Sequence, residues 1–283
     1  MPLLVAVSLL WAFSFGLIKR HLAGVDSSLV AVVRLALALA VFLPFFRWRG
    51  LPRATAVGLL GIGALQFGVM YVAYIESYRH LQAYEAALFT ITTPIFVTLF
   101  ADALDRRLRG WALAAALLAV AGTALVAVKS TDLAVTFIGL ALVQLSNAAF
   151  AIGQVLYCRL RVRQPALRDH EVFALPYAGG VLVAAAMFAT RGASLALTAP
   201  QWLTLAYLGV LGSGAGFFLW NVGATRVTSG TLAVMNNAKV PLGVACALLV
   251  FGERADVSWL LASFAVLGAA VWLAGFSSSR RTR

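Results

Sequence analysis

Two stretches of this chain align without a gap at an offset of 147 residues. The first is YVAYIESYRHLQAYEAALFTITTPIFVTLFADALDRR at 71–107, and the second is FLWNVGATRVTSGTLAVMNNAKVPLGVACALLVFGER at 218–254. The identical positions keep one order: Arg79 with Arg226, Ala86 with Ala233, Pro94 with Pro241, Val97 with Val244 and Arg107 with Arg254. Each copy reads as an aromatic helix, an arginine-containing turn, a small-residue helix interrupted by proline, and a charged end. This order predicts a chain made of two related halves.

The composition places the chain in a membrane. Hydrophobic residues make up 62% of the sequence and charged residues only 11%, whereas soluble domains carry about 25% charged residues. The net charge of +12 comes from short basic clusters between apolar runs. Such clusters are typical of membrane orientation rather than of nucleic-acid binding.

Ten apolar runs have the roughly 17–25 residues that a membrane-crossing helix needs. They are 2–21, 27–46, 54–78, 82–101, 110–128, 134–158, 170–190, 200–222, 229–251 and 256–276. The polar stretch from Arg159 to Asp169 lies near the middle of the chain. We expect one repeat over 1–129, a second over 134–276 and a basic cytoplasmic tail at 277–283.

The loop charges predict the orientation. With the N-terminus inside, fourteen loop or tail arginines fall on the cytoplasmic side and six Lys or Arg on the other, so both termini are expected to be cytoplasmic. Lys19 and Arg20, directly after the first run, favour the reverse and are outweighed. Five spans per half is an odd number, so the halves must be inverted. The predicted fold is an all-α membrane protein with ten transmembrane helices in two inverted five-helix repeats around a central cavity.

The segment ATRVTSGTLAVMNNAKVP at 224–241, followed by Phe251-Gly252-Glu253, resembles the signature of EamA-type carriers of the drug/metabolite transporter superfamily. Trp11, Arg34 and the first copy ending at Pro94 fit the same pattern, and the resemblance covers the whole chain. The first copy departs from it with Asp105-Arg106. Within the superfamily the chain looks most like the YddG-like amino-acid exporters. The resemblance implies a bacterial inner-membrane carrier that exports amino acids or related small metabolites by alternating access.

Lys239 is the sharpest candidate for substrate binding, because it lies near the middle of the ninth span, two residues before Pro241. Charges at that depth usually face a wet cavity or a partner. Its ammonium could hold a substrate carboxylate, and Asn236, one turn earlier, could donate to the same ligand. The alternative is a packing lysine paired with another span. Its counterpart in the first copy is the neutral Thr92.

Polar and aromatic residues at helical spacing supply further candidates. Tyr71, Tyr74 and Tyr78 share one face of span 3, Gln144 and Asn147 share one face of span 6, and Asn221 lies on the matching face of span 8 beside Trp220. Trp11 and Ser14 occupy span 1. For each set, packing between helices is the competing interpretation.

Other residues are expected to shape or gate the path. They are Arg34, Pro94, Pro241, Gly212 and Gly216; the two glycines form a small-residue packing face, and Arg34 could also contact substrate. No cofactor or metal site is expected.

Acidic residues and histidines lie in or near loops and at span ends, with Glu76 and Glu85 flanking one turn. Proton-coupled carriers usually place such groups in the membrane, so facilitative transport is predicted. Export of other small metabolites or cationic drugs is the alternative; a membrane-embedded enzyme is disfavoured, because no nucleophile with a base is visible. The expected partners are a small-molecule substrate and the lipid bilayer, with no nucleic acid, and the protein is expected to be a monomer.

Overall fold

Helices form the regular secondary structure of the described part of the chain. The computed structural model describes residues 2–106, 114, 117–118, 133–191, 196–227, 229–258, 260–262, 264–266, 268–269 and 272. The helices are α1 (Pro2–Leu17), α2 (Ser27–Phe42), α3 (Arg53–Gly63), α4 (Met70–Ser77), α5 (Ala83–Phe89), α6 (Thr93–Leu104), α7 (Leu133–Arg163), α8 (Asp169–Val172), α9 (Ala174–Arg191), α10 (Ala199–Ala206), α11 (Gly216–Ala224) and α12 (Ser229–Leu249).

Several of these helices continue into one another through turns of different width. Wider π-helical turns occupy Ile18–Leu22, Ala64–Val69 and Tyr207–Ala215, and tighter 3-10 turns occupy Leu43–Phe45 and Thr90–Thr92. Each such turn rotates the side chains that follow it relative to a regular α-helix, and π turns occur frequently at functional sites.

The two repeat-related prolines differ in their surroundings. Pro94 lies in the first turn of α6, directly after the 3-10 turn, where a missing backbone N–H costs nothing. Pro241 lies inside the continuous helix α12, where it removes one backbone hydrogen bond.

Seven helical segments of the described residues are long and apolar enough to cross a membrane: Leu3–Leu22, Ser27–Phe45, Arg53–Ser77, Ala83–Leu104, Thr136–Arg163, Asp169–Arg191 and Ala199–Ala224. They correspond to predicted spans 1–4 and 6–8. Helix α12 covers most of predicted span 9. Predicted span 5 lies almost entirely outside the described residues and span 10 partly so, so the count of ten and the inversion of the halves stay predictions.

Small residues bring α3 and α9 into backbone contact. A Cβ added at Gly63 would lie 1.8 Å from the carbonyl oxygen of Pro176, and one added at Gly179 would lie 2.0 Å from the carbonyl oxygen of Leu60. Neither backbone atom can move aside without shifting its helix. The close approach of these helices therefore depends on glycine at both positions.

Charged groups tie helix ends together at one edge of the bundle. Asp26 caps α2 by accepting hydrogen bonds at 3.0 Å from the backbone N–H groups of Ser28 and Leu29. An Arg191 nitrogen at the end of α9 lies 3.3 Å from the Asp26 carboxylate and 3.2 Å from that of Glu76. This ion-pair network joins the ends of α2, α4 and α9.

Candidate functional site

A cavity of about 570 Å³, part of it open to solvent, lies between α1, α2, α4, the α5–α6 junction, α7, α11 and α12. The lining residues that the sequence singled out are Trp11, Ser14, Arg34, Tyr71, Tyr74, Asn147 and Lys239. These residues come from five helices, so the fold brings together candidates that lie far apart in the sequence.

Lys239 extends into the aromatic part of this cavity. Its side chain is 8% exposed, and its Nζ atom lies 5.0 Å from the ring centroid of Trp11 and 5.7 Å from that of Phe150. Among the residues that the structure describes, Lys239 has neither a hydrogen bond nor an ion pair. The aromatic faces attract a cation, but they do not replace the acceptors that an ammonium has in water. Lys239 therefore has donor capacity to offer a ligand.

Arg34 forms the second basic group of the cavity, and it is held by two hydroxyls. Its Nη2 donates to the Tyr71 hydroxyl at 3.0 Å, and its Nε donates to the Ser213 hydroxyl at 3.3 Å. The guanidinium carbon lies 4.2 Å from the Tyr71 ring centroid. Its Nη1 atom is buried without a partner among the described residues. Arg34 is thus firmly oriented and keeps one nitrogen free.

The π-helical turn Tyr207–Ala215 explains how Ser213 reaches Arg34. At the end of this turn the backbone N–H of Gly216 donates to the carbonyl oxygens of Leu211 and Ser213. The Tyr177 hydroxyl lies 2.7 Å from the carbonyl oxygen of Ser213 and 2.8 Å from that of Gly214, so it donates to this pair. The turn is thereby satisfied and its serine points to the guanidinium.

Trp11 forms one wall of the cavity, and two glycines give it room. Its indole Nε1 donates to the carbonyl oxygen of Gly212 at 2.9 Å, and a Cβ added at Gly216 would lie 3.0 Å from the same nitrogen. Its ring packs against Phe217, with centroids 4.7 Å apart, and against Trp220 at 5.0 Å. The two glycines thus serve as a packing face, here for an indole ring.

The α5–α6 junction supplies polar groups opposite this wall. The Asn147 amide donates to the carbonyl oxygen of Phe89 at 3.0 Å and to the Thr92 hydroxyl at 2.9 Å. The Thr92 hydroxyl lies 2.7 Å from the amide oxygen of Gln144 and 3.0 Å from the Phe89 carbonyl oxygen. These hydrogen bonds pair polar groups at the point where the helix is interrupted before Pro94. Thr92 and Gln144 therefore stabilise the junction, and Asn147 also lines the cavity.

Besides Gln144 and Thr92, four predicted binding residues do not line the cavity: Tyr78, Trp220, Asn221 and Asn236. Asn221 accepts from Gln66 at 3.2 Å and donates to the carbonyl oxygen of Phe217 at 2.9 Å. Tyr78 shares a hydrogen bond of 2.6 Å with Tyr74. Trp220 and Asn236 are buried, with polar side-chain atoms that have no partner among the described residues.

The sequence analysis did not single out several wall residues: Phe15, Ile18, Met70, Thr90, Thr93, Ser146, Phe150 and Phe217. Most are apolar residues within apolar runs. In the sequence, such a residue cannot be told apart from one that faces lipid. The break before Pro94 was the available signal for Thr90 and Thr93. No acidic residue is among the described residues that line the cavity.

Comparisons with known proteins agree with this picture. The chain matches the EamA-like transporter family over residues 1–128 and 137–275. It is 44% identical over 278 residues to a probable biotin transporter of Pseudomonas aeruginosa, with 96% of each chain covered. It is 41% identical to the biotin transporters of Salmonella typhimurium and Escherichia coli K12, with 96% of this chain and 92% of each relative covered.

A solved crystal structure shares the fold, with a TM-score of 0.67 and 22% sequence identity over 98% of this chain and 97% of its own. The names of the relatives do not support the amino-acid export predicted from the sequence. They do support a carrier of small metabolites rather than an enzyme. The chain belongs to the EamA-like transporter family of membrane proteins.

Proposed function

We propose that this protein carries biotin across the bacterial inner membrane through the central cavity. The observation that supports this most directly is Lys239, a buried basic side chain with no partner among the described residues, placed beside aromatic rings. Biotin has one carboxylate at the end of an apolar chain and a compact fused ring system with a ureido group. The similarity to curated biotin transporters points to the same substrate.

The two basic groups of the cavity fit the two polar ends of biotin. The Lys239 ammonium is the partner for the carboxylate, since a charge-assisted hydrogen bond is stronger than a neutral one. The Arg34 guanidinium, the other basic group of the lining, is the proposed donor for the ureido carbonyl oxygen. The rings of Trp11 and Phe217, whose centroids lie 4.7 Å apart, offer apolar surface to the fused rings and the chain.

The same cavity is poorly suited to the other substrates considered. An amino acid carries an ammonium group that would need a carboxylate or several acceptors, and a cationic drug has the same need. The described lining contains two basic residues, Arg34 and Lys239, and no acidic one. Repulsion between like charges at low dielectric therefore disfavours cations and zwitterions relative to an anion.

The proposal keeps the predicted membrane arrangement. Two five-helix repeats, 1–129 and 134–276, would be inverted around the cavity, with both termini and the basic tail 277–283 in the cytoplasm. Alternating access would follow from rocking of one repeat against the other. The functional unit would be a monomer.

Uptake of radiolabelled biotin into proteoliposomes tests the proposal. We expect saturable flux that unlabelled biotin abolishes, that the neutral methyl ester inhibits weakly, and that tryptophan and quaternary amines leave unchanged. Protein-free liposomes measure leakage. Absence of saturable biotin flux, together with saturable flux of an amino acid in the same vesicles, would overturn the proposal in favour of amino-acid transport.

A further inference from the structure

The described lining of the cavity contains a single amine, and this amine is on the proposed binding residue, Lys239. The other charged or titratable groups that face the cavity are Arg34, Tyr71 and Tyr74. An arginine does not give up its proton in a protein, and the two phenols are engaged in hydrogen bonds with Arg34 and Tyr78.

Within the described part of the chain, the elements that line the cavity with Lys239 present no acidic side chain to it. Helix α1 contributes Trp11 and Ser14, the α5–α6 junction contributes threonine hydroxyls, and α7 contributes Asn147 and Phe150. The permanent charge of Arg34 adds a repulsive like charge in the same cavity. An empty cavity with both residues charged would hold two cations inside the membrane without a counter-ion, which is costly.

Resting on the proposed function, we propose that Lys239 is also the proton carrier, and that the protein cotransports one proton with each biotin anion. In the empty carrier Lys239 is a neutral amine. On the more acidic side of the membrane its nitrogen lone pair takes a proton from water and the new ammonium binds the biotin carboxylate.

The loaded carrier then holds an ion pair in place of two separate charges. Its cavity then opens to the other side of the membrane, and the bound proton and biotin anion together add no net charge to this step. There the biotin carboxylate and the proton both leave to water. The amine returns neutral. Each cycle moves one proton and one anion in the same direction, so no net charge crosses the membrane. This coupling needs no carboxylate in the described cavity lining, and it replaces the facilitative transport that the sequence predicted.

Carboxylates elsewhere have other roles in the described structure. Glu85 accepts from the backbone N–H of Gln82 at 2.8 Å, and Glu253 accepts from the backbone N–H groups of Ala83 and Tyr84, each at 3.0 Å. Both therefore cap the start of α5. Neither Glu85 nor Glu253 lines the cavity.

Proteoliposomes with a trapped pH indicator test the proposal on the full-length protein. For the wild type, a pH gradient with the acidic side outside should drive biotin accumulation, acidify the lumen in step with uptake, and show no response to a potassium–valinomycin potential. Uptake that follows the potential and moves no protons would overturn proton coupling while leaving biotin transport intact. Absence of any biotin flux would instead overturn the proposed function itself, and the coupling with it.

Lys239→Arg supplies a second readout, because arginine binds a carboxylate but keeps its proton. Its empty carrier must return with an uncompensated charge. The ratio of biotin-for-biotin exchange to net uptake should therefore rise at least about tenfold over the wild type, given the cost of a charge at the bilayer centre. An unchanged ratio in an exchange-competent variant would refute the role. If the variant does not fold, the wild-type gradients still decide.

Discussion

Replacing Lys239 with methionine separates a binding lysine from a packing lysine. Methionine has a similar unbranched shape and fills the same space without a charge. A hydrogen bond to a charged group contributes about 1.5–3 kcal/mol, and at about 1.4 kcal/mol per tenfold change its loss corresponds to roughly 10- to 150-fold weaker binding of biotin. Biotinamide, which lacks the carboxylate, should bind wild type and K239M almost equally.

The same change is expected to stabilise the empty protein. The Lys239 side chain is 8% exposed and has no hydrogen bond or ion pair within the described residues. In the empty carrier the neutral Lys239 amine is buried without a hydrogen bond, which costs about 1–3 kcal/mol in proteins, and methionine does not carry that cost. This leaves about 1 kcal/mol or more in favour of K239M, which corresponds to a Tm higher by about 2–4 °C.

Lys19 provides the matched control, since its Nζ donates to the carbonyl oxygens of Tyr78 at 3.0 Å and Leu81 at 2.8 Å. Lys19→Met should lower the Tm and leave biotin affinity unchanged. The assays are isothermal titration of biotin into purified protein and thermal unfolding followed by tryptophan fluorescence without ligand. A K239M protein with unchanged affinity and a lower Tm would show that Lys239 is a structural anchor, and the reasoning from its lack of partners would fail.

Two further predictions concern the scaffold. Gly63→Ala should destabilise the protein by about 1–3 kcal/mol through overpacking, because its Cβ would lie 1.8 Å from the Pro176 carbonyl oxygen; Gly61→Ala, with nothing within 4 Å, should be neutral or stabilising. Equal melting temperatures for these two variants would contradict the packing argument. Burial alone would raise the pKa of Asp26, but hydrogen bonds at the start of α2 and the Arg191 guanidinium outweigh it and hold that pKa below its ordinary value. The ionised Asp26 therefore stabilises the protein above about pH 4, and this stabilisation is lost as pH falls through the lowered folded pKa. Asp26→Asn should flatten the acid side of a curve of Tm against pH. Parallel curves for the wild type and the variant would exclude Asp26 as the titrating group.

The helical spans were largely predictable, but their interruptions were not. Runs of apolar residues reveal where a helix can cross a membrane, because only composition and length matter for that. The π-helical turns Ala64–Val69 and Tyr207–Ala215 leave no trace in hydropathy, since they depend on which helices pack alongside. The tight contact at Gly63 likewise requires knowing that α3 lies against α9. Gly61, two residues away, has open space and looks the same in the sequence.

Some residues of the candidate site could be predicted from the sequence and others could not. Lys239 and Arg34 stand out in the sequence because a charge inside an apolar run is costly and needs a reason. The partner of Arg34, Ser213, lies 179 residues away, and only the packing of α2 against the π-helical turn reveals it. Phe150 and Phe217 form walls of the cavity, yet a phenylalanine in an apolar span is equally compatible with a lipid-facing position. Charged residues at membrane depth could thus be recognised from the sequence, whereas apolar residues that line the cavity could not.

The two sequence copies differ in charge at the position two residues before their shared proline. In the first copy, this residue is Thr92. Its hydroxyl forms hydrogen bonds with Asn147 and Gln144 at the interruption of the helix before Pro94. In the second copy, Lys239 occupies the matching position in an uninterrupted helix and has no partner among the described residues. Biotin is itself one-sided, with a single charge at one end. A symmetric pair of lysines would leave one cation uncompensated in every loaded carrier, so the asymmetry suits an amphipathic monoanion better than perfect repetition would.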